Sequence, residues 1–280
     1  MEIRILTDAS ADLSPEFVKE EAVTVLSMPI AAEDGTELDP AAPDFWEMLE
    51  SGKRARTSQP NREEMKARFE SAKKAGAALF CVFISSELSG TFDTATALQK
   101  EIGYEHIYLI DSKKASMGEG LIVRKAAALR KETDDPQAIF AALKTYRDRV
   151  RLYSGIDTLK FLARGGRLSS ALYAIGNLLN VKPVITINGE GKIDVLAKKI
   201  GVKQANRALI SLTQEEEIDF GEPVVFLYAK EDKNVTALKE VFRAAYPGAN
   251  TDETTEIGHV VGSHIGPGGF GLTYLVKEKE

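Results

Sequence analysis

A single cysteine, Cys81, stands in 280 residues, so no intramolecular disulfide can form and a reducing, cytoplasmic setting is the expectation. It lies in the apolar run Ala77 to Ile84, where a thiol reads as a small buried hydrophobe rather than a reactive group. Positive charge is also short. The 36 Lys and Arg against 42 Asp and Glu give a formal charge of −6, which argues against a nucleic-acid partner. No stretch approaches the roughly 18 apolar residues that a bilayer span needs, and the N-terminus turns polar by Thr7 and Asp8. Internal repeats and low-complexity segments are missing. So are a nucleophile elbow, a phosphate-binding P-loop, an H-E-x-x-H pair and Cys/His clusters at zinc spacing. Familiar catalytic machinery is therefore not evident, and neither a metal nor a cofactor of the chain's own is expected.

What is present is the composition of a soluble globular protein, with 44% hydrophobic and 28% charged residues. At this length one core stops growing, and two domains are the expectation. Residues 1–150 alternate short apolar runs with longer amphipathic ones, which predicts βα units on a mainly parallel sheet. Strands are expected at Ile3 to Thr7, Val23 to Ile30, Ala77 to Ile84 and His106 to Ile110. Helices are expected at Asn61 to Lys74, Thr91 to Lys100, Ala115 to Lys131 and from Asp135-Pro136 to Arg149; Asn61 with Glu64 makes a capping-box start. Residues 151–280 read as an α+β domain with a mixed sheet. Its expected elements include a strand at Leu152 to Ile156, short helical pieces at Leu159 to Ala163 and Ser169 to Leu179, and a hairpin pairing Val184 to Ile187 with Lys192 to Leu196. A helix over Val202 to Gln214, a strand over Pro223 to Tyr228, a helix over Val235 to Ala245 and strands near Thr254 to Ile257 and Leu272 to Val276 follow.

Ligands of open α/β sheets bind where strands run into helix N-termini, so those loops come first. The loop after the most apolar strand, Ser85 to Thr91, is dense in hydroxyls and carries Gly90, which suits an anion cradle; Ser89 or Thr91 also suits an ordinary helix cap. Thr57-Ser58-Gln59-Pro60 precedes a helix already capped by Asn61, so its hydroxyls are spare, although Ser and Thr before Pro are common turn residues. Arg164-Gly165-Gly166-Arg167 either presents a bidentate cation to a carboxylate or phosphate or is a solvated helix end. Gly266 to Gly271 matches G-x-G-x-x-G formally, but a short strand follows it where a dinucleotide site needs a helix, so close backbone passage explains these glycines better. His264 beside them is a candidate for function, whereas His106 and His259 look ordinary. The strand-end acids Asp8, Asp12 and Asp111 could hold a metal or simply cap turns.

Taken in order, Thr7-Asp8…Asp12-Leu13, Thr57-Ser58-Gln59-Pro60, Ile84-Ser85-Ser86-Glu87-Leu88-Ser89-Gly90-Thr91-Phe92, Asp111-Ser112, Leu162-Ala163-Arg164-Gly165-Gly166-Arg167 and His264-Ile265-Gly266-Pro267-Gly268 resemble the DegV family over almost the whole chain. The resemblance implies a two-domain α/β protein that binds one long-chain fatty acid, such as palmitate, stearate or oleate, in a tunnel between the domains. It further implies a role like that of FakB, the fatty-acid-binding subunit of bacterial fatty acid kinase. Such a subunit presents the carboxylate to a separate ATP-dependent kinase subunit for acyl phosphate formation, with transient contact at a membrane surface. Carried over by motif, Thr57, Ser89 and His264 hold the carboxylate and Arg167 lies near it, while Ser58, Gly90 and Thr91 are neighbours ranked second.

Three positions depart from the family pattern. Ala9 replaces the serine of Thr-Asp-Ser, with Ser10 one place later; Asn61 replaces a serine as helix cap; and Lys198-Lys199-Ile200-Gly201 stands where a Lys-x-Arg-Thr run is usual. A fatty acid held this way buries about 14 methylenes at roughly 0.8 kcal/mol each, on the order of 11 kcal/mol before association costs. Two other readings compete: an enzyme acting on a small acid at the Ser-rich loops with His264 as general base, and a regulatory lipid sensor.

Overall fold

The apolar runs of the first half become parallel strands because helices cover both faces and leave no polar side to the sheet. In the computed structural model, which describes residues 1–39, 44–168 and 180–278, β1 (Ile3–Asp8), β2 (Thr24–Leu26), β6 (Ala78–Phe83) and β7 (Ile107–Asp111) form one parallel sheet in the order β2-β1-β6-β7. Every residue of β6 is buried, as the unbroken run around Cys81 demands, and burial pushes the Cys81 thiol pKa well up. Against the sheet lie α3 (Arg62–Ala75), α4 (Thr91–Ile102), α5 (Met117–Glu132) and α6 (Pro136–Arg149). Met65, Phe69 and Ala72 of α3 supply its packed stripe, joined by Leu79, Phe83, Ala95 and Leu98. Asn61 caps α3 as expected: its Oδ1 accepts the Glu63 and Glu64 N–H groups at 2.8 and 3.1 Å.

A second, mixed sheet has the order β10-β9-β8-β13-β11-β12. Its strands are β8 (Val150–Gly155), β9 (Val181–Ile187), β10 (Ile193–Ile200), β11 (Val225–Tyr228), β12 (Thr254–Glu256) and β13 (Phe270–Leu275); only β11 and β12 pair in parallel. The hairpin between β9 and β10 turns through Asn188 to Gly191, with Gly191 at φ +93° where a side chain would be strained. Helices α8 (Gly201–Thr213) and α9 (Lys233–Ala245) bury Leu209, Leu238 and Phe242 against Phe226, Phe270 and Tyr274. Lys198 to Ile200 end β10 and Gly201 opens α8, leaving Ile200 64% exposed. The helix expected at Ser169 to Leu179 lies outside the described residues.

The chain divides into two compact units, but not by one cut at residue 150. One unit holds residues 1–29, 58–148 and 189–191, the other 30–57, 149–188 and 192–280. The segment Ile30–Thr57 leaves the first unit because its own partners are elsewhere. The strand expected over Val23 to Ile30 breaks at Pro29, which has no N–H to give, and β3 (Ile30–Ala32) instead pairs with β4 (Glu37–Leu38) and β5 (Ala55–Thr57) in a small antiparallel sheet. Helix α2 (Phe45–Glu50) in that segment stacks Phe45 on His259 with centroids 4.0 Å apart, and His259 opens α10 (His259–Ile265). That aromatic packing ties the segment to the later part of the chain. The short helix expected at Leu159 to Ala163 is present as α7 (Lys160–Arg164), whereas the sequence does not predict α10, α1 (Pro15–Glu20) or α2.

Candidate functional site

The sequence candidates fall into two groups, one in each unit. Thr57 ends β5, and its Oγ1 lies 2.8 Å from His264 Nε2 on α10, a pair 207 residues apart in the chain. His264 is largely buried, and its other ring nitrogen, Nδ1, has no hydrogen-bond partner among the described residues. A Cβ on Gly165 would stand 2.3 Å from that Nδ1, so only glycine lets the turn after α7 press against the imidazole. Arg167 leaves the same turn and donates through Nη1 to the Gly165 carbonyl at 2.5 Å. Burial, then the Arg167 charge, pushes the His264 pKa down to about 4; burial also lowers the pKa of Arg167. At neutral pH the pair is thus a neutral imidazole on a hydroxyl, with a guanidinium nearby.

The glycines after His264 serve close packing, as the sequence reading expects. Gly266 ends α10 at φ +81°, and a Cβ there would meet the Phe161 ring at 2.5 Å. The order is helix α10, then strand β13, the reverse of a dinucleotide-binding turn.

In the other unit, the Ser85–Thr91 loop is folded tightly on itself. Ser85 is fully buried and its carbonyl accepts the N–H groups of Leu88 and Ser89, while its Oγ donates to the Gly191 carbonyl at 2.8 Å. The start of the loop is pinned by strand-end acids: Asp8 Oδ2 accepts the Ile84 N–H at 3.2 Å, and Asp111 accepts the Ser86 N–H at 3.2 Å and the Ser86 hydroxyl at 2.6 Å. These acids hold backbone donors, the turn role that stood beside metal binding in the sequence. Ser89 Oγ and Thr91 Oγ1 bond each other at 2.9 Å, with Ser89 partly exposed and Thr91 buried. Gly90 is the exposed N-cap residue of α4, which has no side-chain cap. Ser89 Oγ also accepts the N–H of Thr91, the first residue of α4, over a long 3.4 Å, so the hydroxyl serves the helix start only weakly. Ser58 is exposed, and its N–H donates to the Pro29 carbonyl at 2.9 Å. Neighbouring Gln59 accepts from Thr94 Oγ1 at 3.1 Å and lies against Gly90, which connects the Thr-Ser-Gln-Pro and Ser-Gly-Thr loops.

Two participants escape the sequence reading. Gly165 sits inside a motif singled out for its arginine, and only the contact with His264 shows why it is glycine. Glu119 is an acid fully buried in the first turn of α5; its signal is a lone charge in the otherwise uncharged stretch Met117 to Val123.

Among the described residues, no helix is long and apolar enough to cross a membrane. A family model described as "Uncharacterised protein, DegV family" matches residues 2–277. A DegV domain-containing protein of Clostridium perfringens is 31% identical, covering 99% of this chain and 98% of the relative. Protein DegV of Bacillus subtilis is 28% identical, covering 99% of this chain and all of the relative. Among solved structures, a DegV family protein from Thermus thermophilus described as binding fatty acid superposes with TM-score 0.85 at 27% identity, over 99% of this chain and 100% of that one. The Bacillus subtilis DegV structure, described as a fatty acid binding protein, gives 0.82 at 28% identity over the same shares. The continuous match of sequence and fold from end to end leaves one conclusion: the chain belongs to the DegV family.

Proposed function

We propose that this protein binds one long-chain fatty acid by its carboxylate and presents that carboxylate to a separate ATP-dependent kinase subunit, which transfers a phosphoryl group to it and releases ADP. The observation that carries the reading is the Thr57–His264 pair beside Arg167. His264 Nδ1 is buried against Gly165, where a bare lone pair costs less than a stranded N–H; Nε2 then carries the hydrogen and donates to Thr57 Oγ1. That leaves the Thr57 hydroxyl hydrogen for a ligand oxygen. Arg167 supplies the compensating charge that a buried anion requires, and the Ser89, Gly90 and Thr91 turn, with Ser58 beside Gln59, offers further neutral donors. Fatty acid binding described for relatives at 27–28% identity supports the same ligand class.

A general base near neutrality is poorly served by an imidazole whose pKa lies near 4. This favours a carrier over an enzyme acting alone. Native mass spectrometry of freshly purified protein tests the ligand: a bound mass equal to a C16 or C18 acid is expected, and delipidation should lower Tm. Absence of any lipid mass, with no thermal shift on adding palmitate, stearate or oleate, overturns the reading. Turnover by the isolated protein, lost in His264→Gln, would overturn the carrier role specifically.

A further inference from the structure

Two carboxyl groups are buried together where β1 ends and α5 begins. Ser10 Oγ lies 2.6 Å from Asp8 Oδ1 and 2.8 Å from Glu119 Oε2, and Thr7 Oγ1 donates to Glu119 Oε1 at 3.0 Å. All four residues are fully buried. A serine hydroxyl has one hydrogen, yet both of its oxygen contacts are of full hydrogen-bond length, so the second hydrogen belongs to a carboxyl group. Burial raises the Asp8 pKa too, but Asp8 accepts two backbone N–H groups, Ser10 at 2.9 Å and Ile84 at 3.2 Å, which favour its carboxylate over that of Glu119. Among the described residues, the Glu119 carboxyl is hydrogen-bonded only to the Thr7 and Ser10 hydroxyls. Burial first, and then the negative charges of Asp8 and Asp12, hold its carboxyl well above the usual range. Its place in the first turn of α5 favours a negative charge in general, but its oxygens are turned to Thr7 and Ser10. The hydrogen is on Glu119.

The relay ends on the peptide that opens the Ser85–Thr91 loop, since Asp8 Oδ2 holds the Ile84 N–H. We propose that Glu119 is a positioning residue for this loop, a neutral acid that donates to Ser10 and through it fixes the Asp8 carboxylate on Ile84. Its bearing on ligand binding rests on the loop's proposed role at the fatty-acid carboxylate; its bearing on the loop does not. Ionisation of Glu119 places two like charges across one hydroxyl, and the anchor at Ile84 loosens.

Two measurements on ligand-free protein decide the matter. Infrared spectra at pH 7 should show the carbonyl stretch of a protonated carboxylic acid in wild type and not in Glu119→Gln. Amide exchange at Ile84 and along residues 85–91 should stay slow in Glu119→Gln, whose amide keeps a donor for Ser10 and an acceptor for Thr7, and speed up in Glu119→Ala. Ser10→Ala, which cuts the relay but keeps the acid, should keep the band and speed exchange; it serves if Glu119→Ala does not fold. Palmitate retention should then fall roughly tenfold in Glu119→Ala or Ser10→Ala, the loss expected of one hydrogen bond. In Glu119→Gln it should hold, and should no longer weaken as pH rises. No acid band in wild type at pH 7, or exchange in Glu119→Gln as fast as in Ser10→Ala, overturns the proposal. If palmitate does not bind at all, the ligand reading fails, while band and exchange still decide the role of Glu119.

Discussion

Glu119 and His264 are each buried beside a charge of the sign they would themselves carry, and burial leaves both neutral by opposite routes. Glu119, next to Asp8, keeps its proton; His264, next to Arg167, gives its proton up. In each unit the neutral group then works as a hydrogen-bonding element, Glu119 towards Ser10 and His264 towards Thr57. Desolvation makes a neutral donor of a carboxyl that at the surface would be an ion, and keeps neutral an imidazole that at the surface would titrate near 6.5. The two regions differ in what they anchor: a backbone N–H at the root of a loop in one, a single threonine hydroxyl in the other.

Asp8→Ala should disturb the buried acid pair most. It strands the buried N–H groups of Ser10 and Ile84, at roughly 1–3 kcal/mol for each unsatisfied donor, so a loss of about 2–6 kcal/mol is expected in urea unfolding. It also removes the negative neighbour of Glu119, which should then ionise at lower pH in a carbon-13 titration of its carboxyl group.

The pH dependence separates the regions next. His264 has a folded pKa near 4 against an ordinary 6.5, so the unfolded chain binds the extra proton between these values; stability rises with pH across that window, by up to about 3 kcal/mol. Glu119 has the opposite sign. Its raised folded pKa gives stability that is fully present below the unfolded value of roughly 4.3 and is lost as pH climbs towards the folded one. Subtracting the unfolding free energies of His264→Asn from wild type should therefore reveal a slope only below about pH 6.5, and the same subtraction for Glu119→Gln a slope of opposite sign from about pH 4.3 upwards. Equal slopes would show that the two groups are not neutralised in opposite senses.

Gly165→Ala sharpens the His264 side alone. The added methyl would overlap Nδ1, and forced shifts of this kind cost about 1–3 kcal/mol. Imidazole nitrogen-15 shifts should report loss of the Thr57 bond while the Ser85–Thr91 amides stay in place. The smallest effect belongs to Ser58→Ala. The side chain is exposed, so stability should change by less than about 0.5 kcal/mol, and any larger change in palmitate retention would mark Ser58 as a ligand contact rather than a spacer.

Much of the first unit was legible in the linear sequence. The parallel strands follow from apolar runs and α3 from the Asn61 cap and its Met65, Phe69 and Ala72 stripe; the β9–β10 hairpin, whose strands lie in the second unit, follows from Asn188 to Gly191. The segment Ile30–Thr57 was not, because its short strands β3, β4 and β5 span only 2 or 3 residues each and carry no periodic signal. Their place comes from pairing with one another and from Phe45 and Trp46 against His259. The motif residues were likewise visible as types, without any sign of which would touch. Thr57 and His264 were both named on sequence grounds, but not their bond, nor the glycine that shapes it.

What depends on near neighbours can be read along the chain: periodicities, caps, turn residues, the solitary thiol, and the family whose motifs it carries in order. Such features are settled within a few residues by backbone sterics and local hydrogen bonds. The protonation of Glu119 and His264 is instead set by long-range packing. Thr7 is 112 residues from Glu119, Thr57 is 207 from His264, and the water that either titratable group would need is excluded by side chains from distant parts of the chain. A charge is a property of a residue in solution; in this interior it is a property of the neighbours that folding brings.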